Sequence, residues 1–193
     1  MFIELTDILR CPADHEEHVL VLLPDGVTDR QVERGQLGCM ECGRVYPIRD
    51  GIAEFGTGPA ARGTTKLDAT AMAAFLGLAG AGGYVALVGE PVASWEALAE
   101  LLGAVHIVGV NPPEGTMAGP GLSLVRGGAI PVRSRQLRGV VLGPATAGEA
   151  HWVREAERVT LPGLRVVGEG TTPATPGLDV LAGAEGVWVA RRR

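Results

Sequence analysis

Apolar residues along this chain keep two different rhythms, with the change near residue 67. After that point, helix-period and strand-like runs alternate. Met72, Phe75, Leu76 and Ala79 fall on one helical face, and "YVALVG" (84–89) is a short, continuously apolar strand. A second helix follows with Ser94 as its N-cap, and Trp95, Leu98 and Leu102 point inward. "VHIVGV" (105–110), "LSLVRG" (122–127) and "GVVLG" (139–143) read as three further strands. Then comes a helix presenting Trp152, Val153, Ala156 and Val159, and after it the strand "LRVVGEG". Uninterrupted apolar strands between helices predict a parallel sheet covered on both faces, hence an α/β domain. The end differs: "LDVLAG", the turn "AEG" and "VWVARR" predict an antiparallel hairpin closing the sheet. The stretch "GAIPVRSRQLR" lacks a helical pattern, so the sheet is expected to be thinly covered there.

Residues 1–56 have no such alternation. They predict a small β-rich ribbon, with Val19, Val21, Leu22, Val45, Ile48, Ile52 and Phe55 as its core. "GTGPAARGTTK" carries small residues, a proline and no periodicity, so 57–66 is expected to be a linker. The resulting organisation is 1–56, a ribbon; 57–66, a linker; and 67–193, the α/β domain.

Charge separates the same parts. Residues 1–56 hold 11 acidic and 5 basic residues, a net of −6, while the remainder holds 11 and 12, a net of +1. A ribbon gripping nucleic acid through its phosphates should be basic, so the acidic head argues against that role. The uncharged run Ala69–Gly89 is 21 residues long. Gly80, Gly82 and Gly83 break it, so helix, turn and buried strand are expected rather than a membrane span. Glu4 and Asp7 interrupt the N-terminal segment and argue against a secretory signal. Three clustered cysteines fit metal binding in a reducing compartment better than disulfides, and a cytoplasmic location is expected.

Those cysteines are the chief candidate chemistry. Cys39 and Cys42 have Cys-x-x-Cys spacing, which supplies two zinc ligands from one tight turn. The partner turn holds Cys11, but Asp14 stands where a second cysteine would complete it. His15 and His18 are close by. Histidine suits a thiolate-rich site better than carboxylate, so His15 is the expected fourth ligand, with Asp14 as the alternative and His18 as a third possibility. Nothing nearby resembles an open catalytic position, so the zinc is expected to be structural.

"ILRCP" followed by "LGCMECGRVYPIRDGI" resembles the small zinc-ribbon activator family of tRNA, ribosomal RNA and release-factor methyltransferases. Matching positions are Cys11-Pro12, Cys39, Cys42, Gly43, Tyr46-Pro47-Ile48, Asp50-Gly51 and Ile52, over about 50 residues; Asp14 departs from the pattern. The resemblance implies a ribbon that docks on a methyltransferase domain and extends its sheet. Within this chain, Tyr46–Phe55 is therefore expected to dock on the second domain.

"REAERVTLPGLRVV" in turn resembles the helix–turn–strand of Rossmann-like adenosylmethionine-dependent methyltransferases. The implied fold is a mostly parallel, methyltransferase-type sheet with a terminal antiparallel hairpin. Measured against that family, the cofactor positions are eroded. At the end of the first strand, Leu87 replaces the acid, Gly89 survives, and Pro91 and Ala93 replace glycines; Glu90, three positions past Leu87, is out of place for that acid unless the loop is shifted. The second strand ends in Asn111 rather than an acid, leaving one acceptor oxygen and no charge. Leu137-Arg138 stands where Phe-Asp is usual, and "LGPATAG" offers no catalytic base. His106 and His151 read as core or surface residues, and Arg154, Glu155, Glu157 and Arg158 as a solvated helix face.

These features favour a non-enzymatic binding or scaffolding protein, a pseudo-methyltransferase fused to its own activator-like ribbon. No catalytic residue and no adenosylmethionine are expected, and the implied partner is another protein, either a methyltransferase or a larger complex. An active methyltransferase using Gly89, Glu90 and Asn111 for its cofactor is the alternative reading. A third is an accessory subunit of a larger assembly.

Overall fold

The computed structural model describes residues 1–171 and 174–193. Among them, eleven strands join into one sheet. The first four are β1 (Leu20–Thr28), β2 (Gln31–Cys39), β3 (Val45–Arg49) and β4 (Ile52–Glu54), a consecutive antiparallel meander. The central strands are β5 (Tyr84–Val88), β6 (His106–Val110), β7 (Leu122–Arg126), β8 (Leu137–Leu142) and β9 (Thr160–Glu169). They lie parallel in the order β7-β6-β5-β8-β9. The hairpin of β10 (Leu178–Ala184) and β11 (Val187–Arg192) adds to β9 antiparallel, through β11. This is the α/β arrangement expected from the sequence: a mostly parallel sheet with a terminal hairpin, preceded by a β-rich ribbon.

The ribbon is part of that sheet. β4 runs parallel to β7, pairing Ile52 with Leu124, Ala53 with Val125 and Glu54 with Arg126. The Phe55 N–H continues the ladder by donating to the Arg126 carbonyl at 2.7 Å. Val85–Val88 and Val140–Leu142 are wholly buried, as strands covered on both faces must be.

Three helices and the ribbon cover the two faces. On one side lie α1 (Ala69–Leu76) and α2 (Trp95–Leu102), which bury Met72, Leu76 and Leu98 against Val85, Leu87 and Ile107. On the other, α3 (Ala150–Val159) shares a core with the ribbon: Trp152 and Ala156 join Leu5, Leu9, Leu37 and Ile48. The thinly covered connection after β7 is also covered from here. Arg10 donates its N–H to Pro131, Arg133 returns one to Ile8, and Leu9 bridges Val132. The ribbon's first turn, Ile3–Asp7 with its buried Leu5, leads directly into this contact, taking the place of a helix in that layer.

Four expectations need correcting. Val19, Val21 and Val45 are exposed; Ile48, Ile52 and Phe55 are buried as expected, and Leu20, Val32 and Leu37 take the places of the exposed valines. Strand alternation puts Val21 and Leu20 on opposite faces, and the domain covers only one of them. α1 stops at Leu76 because Gly77 adopts left-handed φ 57°, so Phe75 is partly exposed and Ala79 lies beyond the helix. The hairpin turn is a two-residue Glu185-Gly186, both at positive φ, which suits the twist of the flanking strands. Lastly, α3 has no fully solvated charged face: Glu155 is only 9% exposed. Its carboxylate accepts from Nε and Nη2 of Arg158 and from the Ile130 N–H. Arg158 in turn donates to the carbonyls of Ile130 and Val132 and meets Glu17 of the ribbon at 3.2 Å.

Candidate metal centre and strand-end crevice

Cys39 closes β2, and the turn that follows brings Cys42 back beside it, with the Gly43 N–H donating to the Cys39 carbonyl at 3.0 Å. Gly43 has φ 69°, a left-handed conformation that favours glycine. Opposite, a bridge between Arg10 and Val19 pinches the 11–18 loop, and the Cys11 N–H donates to the His18 carbonyl. Donor atoms of Cys11, His15, Cys39 and Cys42 all lie within 4.8 Å of one another. Cys11 Sγ is 3.7 Å from Cys42 Sγ, and Cys39 Sγ is 3.5 Å from His15 Nε2. With Zn–S near 2.3 Å and Zn–N near 2.05 Å, a tetrahedron has edges of about 3.8 and about 3.6 Å. The four side chains could therefore hold a metal ion, and three sulfurs with one imidazole suit zinc.

The surroundings favour those ligand states. His15 Nδ1 lies 2.6 Å from the Glu16 carbonyl; donating there leaves Nε2 free to face the sulfurs. Burial opposes ionisation at Cys39, but the N–H groups of Cys42 and Glu41 outweigh it and bring the thiol down to about 6. Asp14, the alternative ligand, is exposed and outside the cluster. His18 faces Glu41 instead, at 3.8 Å.

A second constellation gathers at the carboxyl ends of the parallel strands, where sheets of this kind bind ligands. Gly89 follows β5 at φ 76° and ψ −131°, and leads into a tight turn over Glu90–Ser94. Glu90 is buried, and its Oε1 accepts the Arg62 N–H at 2.8 Å, while Oε2 packs against Gly143 with no hydrogen-bond partner among the described residues. Asn111, after β6, is buried at φ 49°. Its Nδ2 donates to the Gly127 carbonyl and its Oδ1 accepts the Gly127 N–H, both at 2.9 Å. The side chain thus staples the end of β6 to the end of β7.

The segment expected to be a linker lies across these ends. Gly58 sits so close to the staple that an added Cβ would overlap the Gly127 carbonyl and both atoms of the Asn111 amide. Arg62 caps Glu90, and farther along Glu169 Oε2 accepts from the Thr65 hydroxyl at 2.7 Å and the Lys66 N–H at 2.8 Å. Residues 57–66 contain no helix or strand, yet they form a strap tied to β5, β6 and β9. A cavity of about 460 Å³ remains at its edge, lined by strap residues with Asn111, Pro112, Glu114 and Arg126. Glu169 and the strap's anchoring lie outside the sequence-based expectations. The available signal was a single acid ending the apolar run "RVVGE", since an acid there needs a buried partner.

The histidines outside the knuckle have structural roles. His106 stacks on Phe2 at 4.8 Å and pairs with Ser123 Oγ, and burial pulls its pKa down to about 4. His151 Nε2 meets the Gly128 carbonyl at 2.7 Å. Among the described residues, no helix is long and apolar enough to cross a membrane; the uncharged run divides into α1, a glycine turn and β5.

Residues 3–51 match the family model described as Trm112p-like protein. That is about a quarter of the chain, and it contains the whole Cys/His knuckle together with β1–β3. The match ends immediately before β4, the strand that carries the ribbon's sheet onto β7. No curated protein sequence matches the chain. Similar solved structures include a Methanococcus maripaludis protein assigned as an S-adenosyl-L-methionine-dependent methyltransferase. Identity there is 11% and the TM-score 0.45, over 65% of this chain and 83% of that one. An Anabaena variabilis protein assigned as a methyltransferase of an antibiotic biosynthesis pathway is 17% identical, with TM-score 0.41, over 52% of this chain and 43% of that one. The antibiotic-resistance methyltransferase Kmr is 13% identical, with TM-score 0.45, over 69% and 96%.

Proposed function

We propose that this chain is a non-catalytic binding or scaffolding protein. Its Trm112p-like ribbon (1–56) docks in cis on a pseudo-methyltransferase domain (67–193), with zinc on Cys11, His15, Cys39 and Cys42 as a structural element. The observation that carries this reading is the self-occupied crevice. Asn111, the position that would meet a ribose, spends both amide atoms on Gly127, and Gly58 is seated on top of it. Glu90 takes a hydrogen bond from the strap, and Pro91 offers no N–H where a glycine loop would present one. A cofactor entering here would have to break these bonds and displace the strap without an acid left to hold its ribose. Loss of one charge-assisted bond costs about 1.5–3 kcal/mol. Two or three such losses turn a micromolar site into one near millimolar.

The ribbon's sheet-extending edge is consumed by β7, so contacts with other proteins fall to other surfaces. Val19, Val21, Leu23 and Val45 on the ribbon's outer face supply exposed apolar area for a protein partner.

Titration calorimetry with adenosylmethionine and its demethylated product tests the proposal. The expected result is no binding tighter than about 1 mM. Micromolar affinity for either compound would overturn it and direct attention to Glu90 and Asn111 as ligand-binding groups.

A further inference from the structure

Tyr46 touches the knuckle without belonging to its ligand set. Its hydroxyl lies 3.1 Å from Cys11 Sγ, and both residues are buried. A metal-bound thiolate has no proton to give, so in the loaded site the hydroxyl must donate and the sulfur accept. Its ring is fixed from behind: Tyr46 pairs with Leu37 across β2 and β3 and packs on the Phe55 ring at 4.9 Å. Phe55 is in turn the residue whose N–H extends the ribbon's ladder onto β7, and its Cβ side faces Gly127.

We propose that Tyr46 is a positioning residue for the metal: it orients the Cys11 thiolate by a hydrogen bond and joins the knuckle, through Phe55, to the seam between ribbon and domain. A donor held this firmly fixes the direction of the sulfur lone pairs, and partners beyond the ligands commonly change metal affinity 10–100-fold. It also makes the seam respond to metal. Without zinc, Cys11 would lose the geometry the hydroxyl is set to meet, and the tilted Tyr46–Phe55 ring pair would lose one of its two fixed ends. The inference rests on the Cys11–His15–Cys39–Cys42 site binding zinc.

The test uses the full chain and Tyr46→Phe, which keeps the ring on Phe55 and removes only the donor. Zinc affinity is measured by competition with a chelating dye, and the cobalt-substituted site is read by its thiolate-to-metal charge-transfer band. The variant is expected to bind zinc about 10–100-fold more weakly, with a shifted band. In the wild-type chain, chelation is also expected to speed amide hydrogen exchange at Phe55 and Gly127. A hydroxyl that merely fills space would lower thermal stability with and without metal alike, leaving zinc affinity and the cobalt band unchanged. That result would overturn the inference while leaving the metal site intact. A wild-type chain that takes up no zinc would instead overturn the metal site and this inference with it.

Discussion

Gly58 shows how one residue governs the strand-end crevice. With no Cβ, it lets the strap lie against the Asn111–Gly127 staple; any other side chain must push strap, staple or both aside. Gly58→Val is expected to lower stability by about 1–3 kcal/mol, the usual cost of forcing atoms into a packed site. Chemical denaturation monitored by tryptophan fluorescence checks it. Faster amide exchange at Arg62 and Gly127 would place the damage at the strap. Glu155 governs the opposite layer. Burial opposes its charge, but the hydrogen bonds and charge of Arg158 outweigh this, so its pKa in the fold lies below the ordinary carboxylate value of 4.5. A carboxylate lowered on folding contributes stability above its unfolded pKa and loses it as pH falls through the folded value. Melting temperature should therefore drop below about pH 4.5, with a shallower slope in Glu155→Gln than in wild type. Equal slopes would mean that the pair contributes nothing. The two sites differ in legibility. Cys-x-x-Cys spacing marks the knuckle because its Cys and His side chains come from local turns. Helical spacing left Glu155 looking solvated because its partners include the Ile130 N–H, 25 residues away in an irregular segment. Asn111 stands where the enzyme alternative places a cofactor ribose, and nothing in the sequence signals that Gly127, sixteen residues on, takes both of its amide bonds.

At the scale of elements, continuous apolar runs announced β5, β6 and β8, since strands buried on both faces can hold little else. The ribbon was harder. β1 carries apolar residues on both faces, so alternation alone could not tell which set turns inward; the docked domain decides it. The choice of β7 as partner for β4 was equally invisible, because three residues hold no register signal of their own. The knuckle is the ribbon's other fixed point: it joins the start of the chain to the end of β2 and the start of β3. Cys39→Ser, or stripping metal with a chelator, should destabilise residues 1–56 by on the order of several kcal/mol, since structural zinc binding is coupled to folding. Zinc content together with hydrogen exchange across β1–β3 measures this. The variant is expected to lose close to one zinc per chain and to exchange faster there, while β5 and β8 keep their protection. Uniform loss of protection would instead show that ribbon and domain unfold as one unit.

For the whole molecule, the joint of β4 and β7 has a consequence for traffic between proteins. Residues 55–68, which include the strap, tie the end of β4 to α1, so ribbon and domain are held at an effective concentration of about millimolar or more, whatever their abundance. A free methyltransferase presenting a similar edge would have to compete against that local excess and against a joint already sealed by Phe55. The stoichiometry of ribbon to domain is therefore locked at one to one, and the ribbon cannot be shared out among clients as a separate subunit can. What it gives up in exchangeability it gains in permanence: a surface made from both parts exists in every copy of the chain from the moment it folds.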